Sequence, residues 1–478
     1  MESDFKMECF RHKLLGNKQY IIQIISNKII ITNISDEPNT SNELDINYNL
    51  FVDFKVKRKQ IQAIGFITDK HHWYYADSEN LIKLKQILGG RVVFKGINTL
   101  YNPLQQIGQG TFSNVYLLQS KLNSLEYFAC KCLDKVQVHE KIGRQGLFDE
   151  IQAMVALKHQ NIAELLEVYE GDVQYYMVMQ YYDLEFTDIL KELNNEDIHI
   201  IFKQLVTAVN FMHENGYMHR DLKPENIMFS DCIYQLRIID FGLTTRDSGK
   251  SKCGTPGYVA PEILNLDTKI NEYNEKCDIF SLGVIFYKML TSNDLFQGSN
   301  HEEILENNAK CNNNFDMLKG NAKIPKQAID LLKKMLQIDP TLRIDSKSIL
   351  QHQYFTVEEQ NHNNTINSSN HLSRKHSSVL KILSPIQKQN GMFISPFSIH
   401  DEECIENEAL MQPIPTVIMK GGSLKEIAKS KTPEKSRKQS KDITKKYQTS
   451  DFDDVVLETQ QSNYRPPKPS QLSEMYNK

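Results

Sequence analysis

Tyr217-Met218-His219-Arg220-Asp221-Leu222-Lys223-Pro224-Glu225-Asn226-Ile227-Met228 sets a carboxylate, an amine and an amide within six residues of one another. Fourteen residues after Asn226 comes Asp240-Phe241-Gly242, and further on Gly254-Thr255-Pro256-Gly257-Tyr258-Val259-Ala260-Pro261-Glu262. Upstream, Ile107-Gly108-Gln109-Gly110-Thr111-Phe112-Ser113-Asn114-Val115 lies between β-like segments. Its two glycines let the backbone approach the phosphates of a nucleotide, and Ile107 and Val115 can bracket the base. Phe128-Ala129-Cys130-Lys131 then puts a lysine on the next strand but one, and Leu147–Met154 reads as a helix with Glu150 beside an apolar face. Taken singly each feature is ordinary: a hairpin turn, an exposed strand lysine, a solvated helix glutamate. Their joint order and spacing are not.

Together these segments resemble the protein kinase family over about 101–356, roughly half of the chain. The resemblance implies an α+β, bilobal protein-kinase fold with a β-rich N-lobe and a helical C-lobe. It also implies ATP and Mg²⁺ as cofactors and proteins as substrates. Phosphoryl transfer asks little covalent work of a protein, which must position two oxygens and neutralise a highly charged nucleotide. On that footing Asp221 orients a substrate hydroxyl and accepts its proton, while Lys223 offsets charge on the phosphoryl group. Asn226 and Asp240 supply the oxygen ligands that hard Mg²⁺ prefers. Lys131 holds the α- and β-phosphates with Glu150 as its ion-pair partner. Ile107, Gly108, Gly110, Phe112, Ser113, Val115 and Ala129 are implied to line the nucleotide site, closed by Met179 as gatekeeper and by Gln180 and Tyr182 of the hinge. Ser113 stands where the family's third loop glycine is usual, a departure expected to alter affinity more than chemistry.

The scaffold positions agree. The resemblance implies a spine of Met154, His219 and Phe241, a buried Glu262–Arg343 ion pair, and an Asp278 that steadies the catalytic loop, with Phe280 in place of the usual Trp. Lys223 within the HRDLKPEN form and Gly254-Thr255-Pro256 resemble Ser/Thr rather than tyrosine kinases. The runs Gly254–Leu264, Cys277–Leu290 and Leu331–Phe355 resemble the calcium/calmodulin-dependent group. Thr255 is expected near Asp221, and Ser248 or Ser251 is expected to take a phosphate that Arg220 captures. Asp183, Glu185 and Glu225 are the acids expected to face a basic residue ahead of the target. Lys288 argues that one such residue suffices.

The rest of the chain sets limits. Its 478 residues divide into a segment 1–100 of net charge +3, a segment 101–356 of −9 and a remainder of +2. An acidic middle and a total of −4 argue against nucleic-acid binding, which runs on neutralised phosphates. No run reaches the 18 or so apolar residues of a transmembrane helix, so no transmembrane segment is expected. Met1–Phe10 has no apolar core of a secretory signal. The eight cysteines are scattered without metal or redox spacing. A cytoplasmic location follows as the expectation, with nuclear or peripheral membrane association as alternatives.

Segment 1–98 reads as β-rich, with Ile-dense Tyr20–Ile25 and Lys28–Ile34, shorter runs at Leu50–Val56 and Ile61–Thr68, and turns such as Asp36-Glu37-Pro38-Asn39. A helix follows, with Ser78 as N-cap, Leu81, Leu84 and Leu88 on one face, and Gly89-Gly90 as its stop. This order resembles a pleckstrin-homology-like domain, which implies a phosphoinositide or protein partner. The hairpin Lys13–Tyr20, however, lacks the Lys/Arg-x-Arg end that clamps inositol phosphates, and the only Trp, Trp73, lies before the helix. Residues 357–478 are Ser-, Asn-, Lys- and Gln-rich and read as a disordered tail. The tail carries a basic run at 420–446 and a Leu372-Ser373-Arg374-Lys375-His376-Ser377 stretch that reads as an autophosphorylation site. Two functions compete: an active ATP-dependent Ser/Thr kinase, and a catalytically silent kinase-fold scaffold acting through the N-terminal domain. Intact Lys131, Glu150, Asp221, Asn226 and Asp240 favour the first.

Overall fold

Burial alternates along Gly16–Ile25: Tyr20, Ile22 and Ile24 are inside, and the residues between them are partly exposed. That period of two is a strand with one covered face. It repeats in Lys28–Asn33, where Ile29 and Ile31 point inward. A computed structural model describes residues 5–356 except 15, 36–38, 69–70, 111–112, 142, 231–233, 267–271 and scattered positions between 312 and 322. The expected turn at 36–39 falls mostly outside the described residues, and the expected disordered tail and its phosphosite fall wholly outside them.

The N-terminal strands are β1 (Phe5–Lys13), β2 (Gly16–Ile25), β3 (Lys28–Asn33), β4 (Thr40–Asp45), β5 (Phe51–Lys57), β6 (Gln60–Ile67) and β7 (His71–Tyr75). They run antiparallel in the order β4-β3-β2-β1-β7-β6-β5. Helix α1 (Ser78–Leu88) follows, with Leu81, Leu84 and Leu88 fully buried as the i, i+3, i+7 spacing requires. Each such leucine contributes roughly 1.5–3 kcal/mol by leaving water. The N-cap is Asp77, not Ser78: Asp77 has extended backbone and its carboxylate accepts the Asn80 N–H at 2.9 Å. A carboxylate also suits the positive end of the helix dipole better than a hydroxyl. Gly90, at φ +68°, turns the chain out of the helix.

Beyond it lie β8 (Val93–Phe94), α2 (Ile97–Leu100), β9 (Tyr101–Gln109), β10 (Ser113–Ser120), β11 (Tyr127–Asp134), α3 (Lys135–Lys141), α4 (Gly143–Ala156), β12 (Leu165–Glu170) and β13 (Gln174–Gln180). Strands β9–β13 form an antiparallel sheet in the order β12-β13-β11-β10-β9. The two-residue β8 pairs parallel with both β5 and β12, which fuses the two sheets into one of thirteen strands. The core is shared as well. Ile22, Phe54 and Leu88 from the N-terminal strands and helix belong to one buried cluster with Leu118, Cys130, Tyr169 and Val178 from the second set.

The remaining helices are α5 (Phe186–Ile189), α6 (Asn195–Glu214), α7 (Pro261–Leu264), α8 (Lys276–Thr291), α9 (His301–Ala309), α10 (Lys326–Met335) and α11 (Ser346–Leu350), with two small sheets among them, one of Leu184–Glu185, Ile227–Phe229 and Leu236–Ile238 and one of Tyr217–Met218 with Thr245–Arg246. Asn194 and Asp197 cap α6 reciprocally. Helix α8 is buried at every position from Cys277 to Tyr287, as expected of a helix apolar nearly all round. Phe202 of α6 stacks on its Phe286 with ring centroids 4.1 Å apart. No helix among the described residues is long and apolar enough to cross a membrane.

Candidate active site

The loop from Met218 to Ile227 is built around one buried carboxylate. Asp278 of α8 is fully inaccessible, and its oxygens accept the backbone N–H groups of His219 and Arg220, each at 2.8 Å, and meet His213 Nε2 at 2.9 Å. Burial alone would raise this carboxyl, but the His213 bond and the neighbouring histidines outweigh it and hold the pKa below the usual 3.8. Arg220 sits at φ +70°, a conformation that costs a non-glycine residue energy and persists because its surroundings fix it. Its Nη1 donates to Ser251 Oγ at 3.2 Å and to Tyr273 Oη at 3.1 Å, and its Nε donates to the Leu243 carbonyl. His219 is buried, its ring 5.3 Å from that of Phe241, and Met154 is buried too.

Asp221 emerges from this loop half-buried between two donors. Thr255 Oγ1 donates to its Oδ1 at 2.6 Å, and Lys223 Nζ lies 2.9 Å from its Oδ2. Lys223 also donates to Thr255 Oγ1 at 2.8 Å, so carboxylate, ammonium and hydroxyl close a triangle. Asn226 Nδ2 donates to the Asp221 carbonyl at 2.8 Å, so the amide oxygen of Asn226 is the atom that could take a cation.

The second half of the site hangs from the sheet. Register pairs Val115 with Lys131 and Lys131 with Met177; in the next row Leu117, Ala129 and Met179 are partners. Cross-strand partners share a face, so Val115, Ala129, Lys131 and Met179 project together. The β9–β10 hairpin brings Gly108 opposite Val115, and Gly110 N donates to the Ser113 carbonyl at 2.7 Å. Ile107 is exposed at its rim, and Phe112 lies outside the described residues. Gln180, at the end of β13, is exposed, and Tyr182 is buried beside it.

Lys131 joins the halves. Its Nζ donates to Glu150 Oε1 of α4 at 2.8 Å and lies 3.3 Å from Asp240 Oδ1. Burial would lower the lysine, yet the two carboxylates hold its pKa well above the ordinary value. Burial would likewise raise Asp240, but Lys131 opposes this and the net pKa is lowered, so the group is a carboxylate at neutral pH. Asp240, at φ +59°, is half exposed to the cleft. A Cβ on Gly242 would stand 3.3 Å from both Asp240 Oδ1 and Lys131 Nζ, which explains glycine there. The half-exposed Asp240 carboxylate and the Asn226 amide oxygen form a hard-oxygen donor set that fits Mg²⁺.

The structure thus joins Lys131, Glu150 and Asp240 in one contact line and Asp221, Lys223, Thr255 and Asn226 in another, and sets Val115, Ala129 and Met179 on the face of Lys131. The Glu262–Arg343 pair is present as well, bidentate at 2.6 and 2.9 Å. Sequence reading missed His213 and Tyr273. Tyr273 Oη donates to the Ser251 carbonyl at 2.8 Å, and a Cβ on Gly249 would run into the Tyr273 ring. Tyr273 lies 53 residues from Arg220, with no local pattern to mark it.

The family model for the protein kinase domain matches residues 101–355. Calcium-dependent protein kinase 4 of Plasmodium berghei is 36% identical over 284 residues, 57% of this chain and 52% of the relative. Serine/threonine-protein kinase cds1 of Schizosaccharomyces pombe is 33% identical over 58% of this chain and 64% of its own length. Calcium/calmodulin-dependent protein kinase type 1 of Caenorhabditis briggsae is 34% identical over 54% of this chain and 74% of its own. The chain spans about half the length of the first of these relatives. With the ion-paired lysine, the carboxylate–ammonium–hydroxyl triangle and the Asp240 turn all lying inside the matched residues, this chain belongs to the protein kinase family, among relatives that are serine/threonine kinases.

Proposed function

We propose that this chain is an active, ATP-dependent serine/threonine protein kinase. The observation that carries the reading is the unbroken line of contacts Glu150–Lys131–Asp240 together with the Asp221–Lys223–Thr255 triangle. Asp221 takes the proton of a Ser or Thr hydroxyl as that oxygen bonds to the γ-phosphorus; the β–γ bridging bond breaks and ADP leaves. Lys223 and Lys131 balance negative charge on the phosphates, and Thr255 holds the carboxylate toward the incoming hydroxyl. Gln180 and Tyr182 border the adenine, with Ile107, Val115, Ala129 and Met179 against its faces. Asn226 and Asp240 hold Mg²⁺, which when bound screens the phosphate charge. We propose a cytoplasmic setting, with nuclear or peripheral membrane association as alternatives; cysteines scattered without metal or redox spacing support it.

We further propose a preference for a basic residue before the target. The kinase segment carries −9, and Asp183, Glu185 and Glu225 are exposed. Lys288 is occupied by Asp294, in keeping with a need for one basic residue only. A peptide array with the purified chain is expected to favour a single Arg three residues ahead of Ser or Thr. Equal labelling with Ala at that position would refute the preference.

Ser251 is the proposed loop phosphosite, because it already touches Arg220, whereas Ser248 bonds Glu272. A phosphate there converts a neutral hydrogen bond into a charge-assisted one. Mass spectrometry of the active enzyme should find phosphate on Ser251, and Ser251→Ala should lower activity. Full activity with an unmodified loop would count against it.

The seven strands and following helix support a pleckstrin-homology-like module at the N-terminus. We propose that it binds protein rather than lipid. Its Arg11 is already bonded to His72 and covered by the Tyr20 and Tyr74 rings, which leaves it ill-placed for a phosphoinositide.

A further inference from the structure

We infer that the N-terminal module is a clamp on helix α4, and that Tyr48 is a positioning residue for the Lys131–Glu150 pair. The inference rests on the kinase reading and deepens it. Tyr48 lies between β4 and β5, and its ring stacks on Phe148 of α4 with centroids 4.5 Å apart and planes at 14°. The Tyr48 hydroxyl donates to the Gly90 carbonyl at 3.1 Å, and its own carbonyl accepts from Arg144 Nη2 at 3.2 Å. The Arg144 guanidinium in turn lies 4.5 Å from the centre of the Phe148 ring. Burial pushes the Tyr48 phenol up to about 12, so it remains a neutral donor. Farther along, Gly90 runs so close to Val155 that a Cβ would stand 2.8 Å from its methyl.

The contacted residues share one stripe. At 3.6 residues per turn Arg144, Phe148 and Val155 fall within about 40° of one another, and Glu150 lies about 140° round from them. The module therefore grips the back of the helix, leaving Glu150 free to face Lys131. The grip is itself anchored. Lys85 of α1 forms a buried ion pair with Glu167 of β12, and the same carboxylate accepts the hydroxyls of Tyr101 at 3.0 Å and Tyr169 at 2.6 Å. With β8 stitching β5 to β12, the module cannot rotate away from the sheet without breaking a satisfied buried network.

Losing the clamp should misplace the phosphates while adenine stays held at the hinge, and small misplacements of reacting groups are costly: about 10²-fold for 1 Å. In the full-length chain Tyr48→Ala is expected to lower kcat by about 10- to 100-fold with the KM for ATP changed far less. Tyr48→Phe, which keeps the stacked ring, should restore most of the rate. Phe148→Ala added to Tyr48→Ala should cost little more, because the two act as one contact. Arg144→Gln, at a half-buried surface site, tests the same grip with little risk to folding and should lower kcat in the same sense. Hydrogen exchange reads the clamp without reference to activity: Tyr48→Ala should speed exchange across α4 and leave β10 and β11 protected. A Tyr48→Ala or Arg144→Gln protein with unchanged kcat and unchanged α4 exchange would overturn the clamp. So would independent, multiplicative effects of Tyr48→Ala and Phe148→Ala. A wild-type chain without transferase activity, but with the predicted α4 exchange change, would instead refute the kinase reading and leave the clamp standing.

Discussion

Asp221→Asn should give a folded protein that binds ATP and transfers phosphate about 10²–10⁴ times more slowly, the usual worth of a positioned general base. The amide keeps the size of the carboxylate and one oxygen to accept the Thr255 hydroxyl, now found at 2.6 Å. It loses the charge that pairs with Lys223 and the capacity to take a proton. The sheet-side residues proposed to hold the nucleotide, centred on Lys131, are untouched, so ATP affinity should hold within a few-fold. Steady-state transfer, nucleotide titration and a melting curve on the same preparation separate the three effects. A rate near that of the wild type would mean that Asp221 is not the group that handles the proton.

The largest loss of stability is expected from Arg343→Ala. Arg343 is almost fully buried and leaves none of its donors idle. Its guanidinium bonds both Glu262 oxygens, Nη1 donates to the Lys276 carbonyl at 2.7 Å, Nε to Gln337 at 3.0 Å, and Nη2 to Ile338 at 3.3 Å. The group also packs over Phe280, 5.2 Å from the ring centre, so the aromatic face that the family usually takes from Trp is still supplied. Truncation strands a largely buried Glu262 carboxylate and three carbonyls. Breaking a buried pair in this way costs about 3–5 kcal/mol, against a whole-protein stability of about 5–15 kcal/mol. Thermal unfolding should show a markedly lower midpoint or an insoluble product. Glu262→Gln, which keeps an acceptor for the guanidinium, should be milder. An Arg343→Ala protein melting with the wild type would contradict this account of the pair.

What could be read in the sequence was local. The catalytic loop, the Asp240 turn, the glycine hairpin and Lys131 are each contiguous stretches whose residue types carry their chemistry. Ile-rich β2 and β3 and the leucines of α1 show their period directly. Strand β4, Thr-Ser-Asn-Glu-Leu-Asp, buries almost nothing and so has no hydrophobic alternation to betray it. In β1, Met7 and Cys9 are the buried positions and Phe5 and Phe10 are only partly covered, too irregular a pattern to declare a strand. The two residues of β8 that join the sheets carry no signal of their partners. Contacts across long stretches of chain were equally silent: Lys85 with Glu167, Arg220 with Tyr273, and Tyr48 with Phe148 exist only once the fold has closed.

The central claim is that this site moves a phosphoryl group from ATP to serine or threonine. Its most direct test is to incubate the purified full-length chain with Mg²⁺ and γ-labelled ATP, with protein and peptide acceptors, and to identify the labelled amino acid. Label on phosphoserine and phosphothreonine, absent from an Asp221→Asn control, is the predicted result. A chain that binds ATP with its site intact yet labels no hydroxyl would contradict the claim and make the fold a binding scaffold.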